Sequence, residues 1–280
     1  MTDATPVPFV RRDAARGVHW LREAYARLSA QRLPWLLLLM LYYLLLGLVD
    51  LVPVVGGVVA PLLKPVFAVG FLAAAWTQER GGTPELRLLF RGFTANVPAL
   101  LAIGVVFVGG VGLALLATAL VDGGKTLDLL SGKLKPDEAA FATGEVQLAM
   151  LFAAVCATPV VLAIWFAPAL VVFQGFGPVR ALATSLRCCL ANWRAVSVYG
   201  LMLFFYGGVV PGIVTGLVAM VAPRDLAFTV ALLVLMPYFF LFVATLHISD
   251  YVSYRDLFHA DEPADAVGAP TDAPPGDQAG

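Results

Sequence analysis

Residues 35–76 read WLLLLMLYYLLLGLVDLVPVVGGVVAPLLKPVFAVGFLAAAW, two apolar runs joined by the glycine pair Gly56-Gly57. A hydrocarbon core about 30 Å thick takes roughly 20 consecutive apolar residues to cross as an α-helix. Each run is of that length, and a glycine pair is a typical turn signal. The stretch therefore predicts two membrane-spanning helices that form a hairpin.

The composition of the whole chain agrees with this prediction. Of its 280 residues, 60% are hydrophobic and 13% are charged, whereas a soluble domain is about half apolar and a quarter charged. The fold class is therefore predicted as all-α, a polytopic transmembrane helical bundle of about six spans. The predicted spans are Trp35–Val55, Val58–Trp76, Val97–Val121, Val146–Phe173, Ala195–Val221 and Leu226–Ile248.

The distribution of basic residues predicts the orientation of the spans. Cytoplasmic segments of membrane proteins carry an excess of Lys and Arg. One set of alternate segments carries 13 arginines, namely Arg11, Arg12, Arg16, Arg22, Arg27, Arg32, Arg80, Arg87, Arg91, Arg180, Arg187, Arg194 and Arg255. The other set carries only Lys125, Lys133, Lys135 and Arg224. Both termini are therefore predicted to be cytoplasmic, with segment 122–145 as the only sizeable outer loop.

Three regions are predicted along the chain. Residues 1–34 form a cytoplasmic N-terminal segment with an interfacial helix, and residues 35–248 form the six-span membrane domain. Because 34 mostly polar residues precede the first apolar run, the first span is expected to remain in the mature protein. Residues 249–280 form a cytoplasmic tail, predicted to be disordered because Ala260–Gly280 holds five acids and no base.

A weak internal repeat precedes the first, third and fifth spans. The three segments read REAYARLSAQRLPWLLLL from Arg22, LRLLFRGFTANVPALLAI from Leu86 and ALATSLRCCLANWRAVSV from Ala181. Each has arginines and apolar residues at helical spacing and then an amide, which predicts a short amphipathic helix at the membrane interface before each hairpin. The alternative is that any loop on this side is arginine-rich. The predicted contacts to anionic lipid headgroups are Arg22, Arg27, Arg32, Arg87, Arg91, Arg180, Arg187 and Arg194.

Two stretches carry a family resemblance. GVHWLREAYARLSAQRLPWLLLLMLYYL (Gly17–Leu44) and HISDYVSYRDLF (His247–Phe258) resemble an uncharacterised family of proteobacterial six-span inner-membrane proteins. A looser likeness in architecture extends to the YciC-like membrane proteins. The resemblance implies a location in a bacterial inner membrane, and it implies no activity and no functional residues.

Lys64 is the sharpest candidate for a functional side chain, because ionisable groups at membrane depth are rare. At 1.5 Å per residue, Asp50 and Lys64 reach similar heights on either side of the glycine turn, so an intramembrane ion pair is geometrically open. The alternative is that Lys64 extends its ammonium to the outer headgroups while Asp50 lies in water.

Prolines and glycines mark further features of the spans. Kinks are predicted at Pro61, Pro65, Pro159, Pro168 and Pro237, all in even-numbered spans. Gly208, Gly212 and Gly216 recur at spacings of four in the fifth span, which predicts a close helix contact. The contact is assigned to a neighbouring helix of the same chain, with a second subunit as the alternative.

The remaining motifs favour structural interpretations. ALVDGGKT (Ala119–Thr126) matches a loose phosphate-loop pattern, but it follows a membrane helix and not a strand, so it is interpreted as chance. His247 and Asp250 are interpreted as a hydrated helix end, with Tyr251 and Tyr254 as interfacial anchors. Cys188 and Cys189 are interpreted as membrane-facing filler, with redox sensitivity as the alternative if they are exposed.

Three functions are weighed against these features. A non-enzymatic scaffold or accessory envelope protein is favoured; a small-solute transporter that uses the kinked spans and Lys64 is the alternative. A membrane enzyme on lipid-linked substrates is third, since nothing organises the acids of the outer loop, Asp122, Asp128, Asp137, Glu138 and Glu145. No catalytic residue, metal ligand or cofactor is predicted. The expected partners are a bilayer with anionic headgroups and a membrane protein or second copy, and no nucleic acid is expected.

Overall fold

The computed structural model describes residues 9–52, 55–135, 143–223, 226–260, 262 and 268. The described part of the chain is helical without a β-strand. Six of its helical stretches are long and apolar enough to cross a membrane: Arg32–Asp50, Gly56–Glu79, Val97–Asp122, Glu145–Gln174, Trp193–Val221 and Ala227–Phe258. The predicted all-α bundle of six spans is confirmed. Most of the predicted acidic tail, and residues 136–142 of the predicted outer loop, lie outside the described residues.

Twelve α-helices, a 3-10 helix and a π-helical turn make up the described fold. The helices of the first half are α1 Arg16–Ala30, α2 Arg32–Asp50, α3 Val55–Glu79, the 3-10 helix Leu86–Phe93, α4 Val97–Ala117, α5 Ala119–Asp122 and α6 Lys125–Leu130. Those of the second half are α7 Glu145–Trp165, α8 Ala167–Gln174, α9 Pro178–Ala191, α10 Trp193–Phe204, the π-turn Phe205–Val209, α11 Val210–Val221 and α12 Ala227–Phe258.

Helix α3 lies at the centre of the bundle. It packs against α2, α4, α8, α12 and the 3-10 helix. In its most apolar 18-residue stretch 61% of the residues are buried, against 6% in the corresponding stretch of the fifth span and 11% in that of the sixth. Val66, Val69 and Phe71 are almost fully buried in the core. The fifth and sixth spans therefore turn most of their apolar surface outward.

The predicted amphipathic segments precede the first, third and fifth spans, and each buries one face. In α1 the buried residues Gly17, Trp20, Leu21, Ala24 and Leu28 follow helical spacing and face α10 and α12. The segment before the third span is a 3-10 helix that lies on α3. A Cβ on its Gly92 would lie 1.9 Å from the carbonyl oxygen of Val66. This contact between backbones fixes the position of the 3-10 helix.

The fourth span is interrupted at Phe166, two residues before Pro168. The hydroxyl of Ser185, on α9, accepts a hydrogen bond from the Phe166 N–H at 3.0 Å and donates to the Leu162 carbonyl at 2.7 Å. It thereby stands between a donor and an acceptor that would bond directly in a continuous helix. A side chain from another helix thus supports the break beside one of the predicted prolines.

Helix α12 continues to Phe258, whereas the sequence predicts the last span to end at Ile248. The additional residues are more polar than the span, but they do not face water. Ser249, Tyr251, Ser253 and Tyr254 are all buried. Tertiary contacts with α1 and α3 bury this end of the helix. Hydropathy depends only on residue type, so it does not predict such contacts. The end of the bundle that holds α1 and the end of α12 is called the arginine-rich end below.

We predict that Gly92→Ala destabilises the protein by about 1–3 kcal/mol, because the added methyl group would overlap the Val66 carbonyl and force the 3-10 helix away from α3. Gly112→Ala is the matched control, since a Cβ there meets nothing within 4 Å. Thermal unfolding of the purified protein in detergent measures both changes. Equal midpoints for the two variants would contradict the close contact.

Candidate functional site

The arginine-rich end is held together by a polar cluster around the last three turns of α12. Its members come from the start of the described chain, from α1, from the end of α3 and from α12 itself. Two carboxylates, those of Asp256 and Glu79, collect most of the donors. We describe each carboxylate in turn, because together they decide what this end of the molecule can do.

Asp256 is 8% exposed and lies between α12 and α1. Arg16 binds it with two hydrogen bonds, Nε to Oδ2 at 2.9 Å and Nη2 to Oδ1 at 2.7 Å. The indole N–H of Trp20 donates to Oδ2 at 2.8 Å, and Arg12 Nη2 lies 2.9 Å from Oδ1. A paired guanidinium in this fork geometry is the strongest common partner of a carboxylate. The charge of Asp256 is therefore neutralised within the protein.

Glu79 plays the same part at the end of α3. Its carboxylate accepts hydrogen bonds from Arg27 at 3.1 Å, from the hydroxyl of Tyr251 at 2.6 Å and from Arg255 at 3.4 Å. Arg27 also binds Glu23, four residues earlier on α1. The two acids raise the pKa of the Arg27 guanidinium further, although burial by itself acts in the opposite direction. Glu79 thus joins α1, α3 and α12 through one side chain.

The start of the described chain is tied to the same end. The N–H of Val10 donates to the Leu257 carbonyl at 2.9 Å. The amide of Asn192, which lies between α9 and α10, accepts from the Arg12 N–H at 2.7 Å and donates to the Val10 carbonyl at 3.1 Å. Both ends of the membrane domain and the beginning of the fifth span therefore meet at one place.

All three amides of the repeat have structural partners. Gln31 donates to the Gly82 carbonyl at 3.1 Å, and Asn192 binds the N-terminal segment. Asn96 caps α4, since its side-chain oxygen accepts from the Ala99 N–H at 3.2 Å. The shared sequence position therefore serves three different contacts.

A second polar group extends from the end of α12. The hydroxyl of Tyr254 lies 3.0 Å from Nε2 of His259, and the amide nitrogen of Gln174 lies 3.1 Å from the same atom. The other ring nitrogen of His259 lies 2.8 Å from the carboxylate of Glu262. Tyr254 is fully buried and His259 is 8% exposed. These bonds close the end of the last helix against α8.

The last span shows the largest difference from the sequence prediction. Tyr251 and Tyr254 are completely buried, so their interpretation as interfacial anchors of a hydrated helix end is wrong. His247 stacks on the ring of Phe71 at 3.8 Å, and Asp250 accepts a hydrogen bond from the indole of Trp165 at 3.1 Å. The two side chains therefore have separate partners inside the protein.

The structure does not bring Asp50 and Lys64 together. No ion pair between them is present among the described residues, and both side chains are exposed on the outside of the bundle. The ammonium of Lys64 lies 5.6 Å from the centre of the Phe107 ring. The hypothesis of a solute-binding site at membrane depth relied on this ion pair, which is therefore not formed between the described residues.

The glycine stripe of the fifth span also lacks the predicted neighbour. A Cβ at Gly212 or Gly216 would meet nothing within 4 Å, and one at Gly208 would meet only Phe204 of the same span. The assignment of these glycines to a close contact with another helix of this chain is wrong. A second subunit stays the alternative.

Of the predicted kink prolines, Pro61, Pro65, Pro159 and Pro237 lie inside continuous helices.

Of the eight arginines predicted to bind headgroups, Arg27 and Arg91 are half-buried and the other six are exposed. Arg27 is half-buried and satisfied by Glu23 and Glu79, so its guanidinium serves the polar cluster and not the membrane. Arg180 stacks on the ring of Phe176 at 3.9 Å, and Arg87 pairs with the exposed Glu85. The exposed members of the set are Arg22, Arg32, Arg87, Arg180, Arg187 and Arg194. Headgroup binding by these arginines stays a prediction.

The phosphate-loop pattern has a structural explanation. The carboxylate of Asp122 accepts hydrogen bonds from the Gly124 N–H at 2.9 Å and the Thr126 N–H at 2.7 Å. Gly123 and Gly124 have positive φ angles, which only glycine adopts readily. The side chain of Asp122 therefore fills the anion-binding position that the glycine turn creates. The turn connects α5 to α6.

The adjacent cysteines of α9 are buried inside the protein, so their interpretation as membrane-facing filler is wrong. Burial raises the pKa of the Cys189 thiol to about 12 and that of Cys188 further. Because the thiolate is the reactive form, neither side chain is a nucleophile at neutral pH. Among the described residues, no group of three His, Cys, Asp or Glu side chains is arranged to hold a metal ion.

The fold and the polar cluster define a polytopic α-helical membrane protein whose spans are joined at one end by buried ion pairs. The chain is 34% identical over 265 residues to a probable inner membrane protein of Burkholderia thailandensis, in an alignment that covers 92% of this chain and 94% of that protein. This chain belongs to the same family of bacterial inner-membrane proteins. No family model matches the chain, and no solved structure matches it. The likeness to the YciC-like membrane proteins stays a prediction.

We predict that Asp256→Asn lowers the free energy of unfolding by about 3 kcal/mol, because two arginines would then keep their charges in a half-buried position without a carboxylate. Asp128→Asn, at an exposed acid of α6, is the matched control and is expected to change stability by less than about 0.5 kcal/mol. Thermal unfolding in detergent compares the two variants. A control that is as unstable as Asp256→Asn would show that the ion pairs are not responsible.

Proposed function

We propose that this chain is a non-enzymatic scaffold or accessory protein of the inner membrane, which presents the arginine-rich end to the cytoplasm. The observation that supports this proposal is the polar cluster itself. The carboxylates of Asp256 and Glu79 and the phenol of Tyr251 are fully engaged in bonds between helices. Such bonds fix the relative positions of α1, α3 and α12, as a rigid platform requires.

The charge of the exposed surface supports the same assignment. At this end the acidic side chains of Asp256 and Glu79 are only 7% and 12% exposed and pair with arginines, whereas Arg22, Arg32 and Arg187 are exposed. The outward surface is therefore basic even though the chain has a formal net charge of -1. A basic surface beside the spans attracts anionic headgroups and acidic segments of proteins.

The outward apolar surface of the last two spans supports a partner within the membrane. In the most apolar 18-residue stretch of each span, only 6% of the residues of the fifth span and 11% of those of the sixth are buried inside the chain. Lipid tails or the helices of another protein cover such a surface in a bilayer. A scaffold that binds through both its basic end and its outer helices would use the two surfaces together.

The excess of arginines at one end supports a cytoplasmic location for it, by the rule that basic loops stay inside. We expect that Thr83→Cys, at the arginine-rich end, reacts with a membrane-impermeant maleimide only after the inner membrane is opened. Ser131→Cys, beyond α6 at the opposite end, is expected to react in intact spheroplasts. The exposed native Cys156 is replaced by serine in both variants, and Cys188 and Cys189 supply no background, because both are buried and their pKa values are raised. The reverse pattern of labelling would overturn the orientation.

Photo-crosslinking in living cells tests the scaffold role. A photoreactive amino acid at the exposed position Arg187 is expected to give a discrete adduct with another protein, and the charge reversal Arg194→Glu is expected to weaken it. The same amino acid at Lys133, at the opposite end, is the control and is expected to give no such adduct. If Arg187 yields no discrete adduct, or if Lys133 yields the same one, the scaffold proposal fails.

A further inference from the structure

A cleft of about 500 Å³ opens between α1, the fifth span and α12 at the arginine-rich end. Three stripes of side chains line it. Val18, Arg22 and Tyr25 lie at spacings of four and three on α1, so they share one face of that helix. The facing walls come from Met202 and Tyr206 on the fifth span and from residues 238–245 of α12. The volume is in the range of about 300–1,000 Å³ that is typical of small-molecule sites.

The deeper walls of this cleft present hydrocarbon. The hydroxyl of Tyr238 donates to the carbonyl of Tyr206, and the hydroxyl of Thr245 donates to the carbonyl of Leu241 at 2.8 Å. Polar atoms that are already hydrogen-bonded within the protein do not need a hydrogen bond from a ligand. The wall formed by α12 extends over seven residues, from Thr245 to Tyr238, which is about 10 Å along the helix axis. The cleft is therefore a narrow apolar groove that runs from the arginine-rich end into the span.

One side chain in the lining differs from the others. Arg22 is exposed at the mouth of the cleft, and no carboxylate of the described residues lies within ion-pair distance of it. The neighbouring acid, Glu23, is bonded to Arg27. Arg16 and Arg27, the other arginines of α1, both pair with acids, whereas Arg22 pairs with none among the described residues. A guanidinium above an apolar groove fits a ligand with an anionic head and a hydrocarbon tail.

The π-turn Phe205–Val209 shapes this cleft. A π-turn adds a residue to a helix, and such turns are frequently found at functional sites. Here the turn includes Tyr206, whose carbonyl accepts the hydrogen bond from Tyr238. Within the same turn, Gly207 lies against the ring of Phe242, which a Cβ would approach to 3.1 Å. The irregular turn thus joins the two spans at the inner wall of the groove.

We propose that this cleft is a binding site for an anionic phospholipid of the surrounding leaflet, with its phosphate on Arg22 and one acyl chain along Met202, Leu241 and Phe242. The proposal does not depend on the scaffold role, because it concerns the lipid and not the protein partner. It requires only that α1 lies at the level of the headgroups, where its exposed Tyr25 and Val18 also belong.

Native mass spectrometry of the full-length protein in mild detergent tests the proposal, after delipidation and titration with phosphatidylglycerol or phosphatidylcholine of matched chains. We expect one tightly retained phosphatidylglycerol per chain, and weaker binding of phosphatidylcholine. Arg22→Gln is expected to weaken phosphatidylglycerol about fivefold, the factor that corresponds to ~1 kcal/mol for one basic residue near an anionic surface, and to leave phosphatidylcholine unchanged.

Two further variants make the test specific. Arg11→Gln, at an exposed arginine that lies outside the cleft and outside the predicted headgroup contacts, is the matched control and is expected to leave both affinities unchanged. Val18→Trp is expected to narrow the groove and to weaken both lipids. All three positions are exposed, so unchanged thermal midpoints verify the fold. The proposal is overturned if the two lipids bind the native protein equally, if Arg22→Gln and Arg11→Gln have the same effect, or if Val18→Trp has none.

Discussion

The pairing of Asp256 with Arg16 is the interaction on which the arginine-rich end depends. A carboxylate that is 8% exposed is unfavourable unless its charge is matched and its oxygens accept hydrogen bonds. Here both conditions are met from α1, through Arg16 and the indole of Trp20. The pair therefore holds the first described helix against the last one, across 240 residues of sequence. A membrane bundle has little hydrophobic force between its spans, so such polar bonds and close packing decide how helices are arranged.

The second constraint is the central position of α3. Its small residues let other backbones approach closely: a Cβ at Gly70 would lie 2.6 Å from the backbone of Leu89 in the 3-10 helix. At its end, Glu79 joins the polar cluster and connects the central helix to both α1 and α12. Close backbone contact and buried ion pairs thus act on the same helix, one along its length and one at its end. The outer spans, by contrast, are left with surfaces for lipid or for a partner.

These two constraints also explain why the amphipathic segments are more than membrane anchors. The repeat suggested three similar helices at the interface, yet each makes a different structural contact. Helix α1 supplies Arg16 and Arg27 to the polar cluster, the 3-10 helix lies on α3, and α9 inserts the hydroxyl of Ser185 into the break of the fourth span. Only their outward faces, with residues such as Arg22 and Arg187, remain available to headgroups or partners. The cleft beside α1 arises because this helix packs over the spans and does not lie apart from them.

The sequence by itself determined the number of spans, the end at which the arginines gather and the amphipathic segments. The length of an apolar run and the charge of a segment are local properties, and they decide directly whether that segment lies in lipid or in water. It did not determine which polar residues meet. Asp256 and Glu79 stand outside the predicted apolar runs, and nothing local distinguishes a buried acid from a hydrated one. The predicted pairing of Asp50 with Lys64 compared heights only, whereas contact also requires that both helices turn the right face toward each other. The predicted contact of the fifth-span glycines with another helix of this chain was wrong for the same reason. Rotation about a helix axis, and the folding of α1 onto α12, are decided by tertiary packing, which a pattern along the chain does not contain.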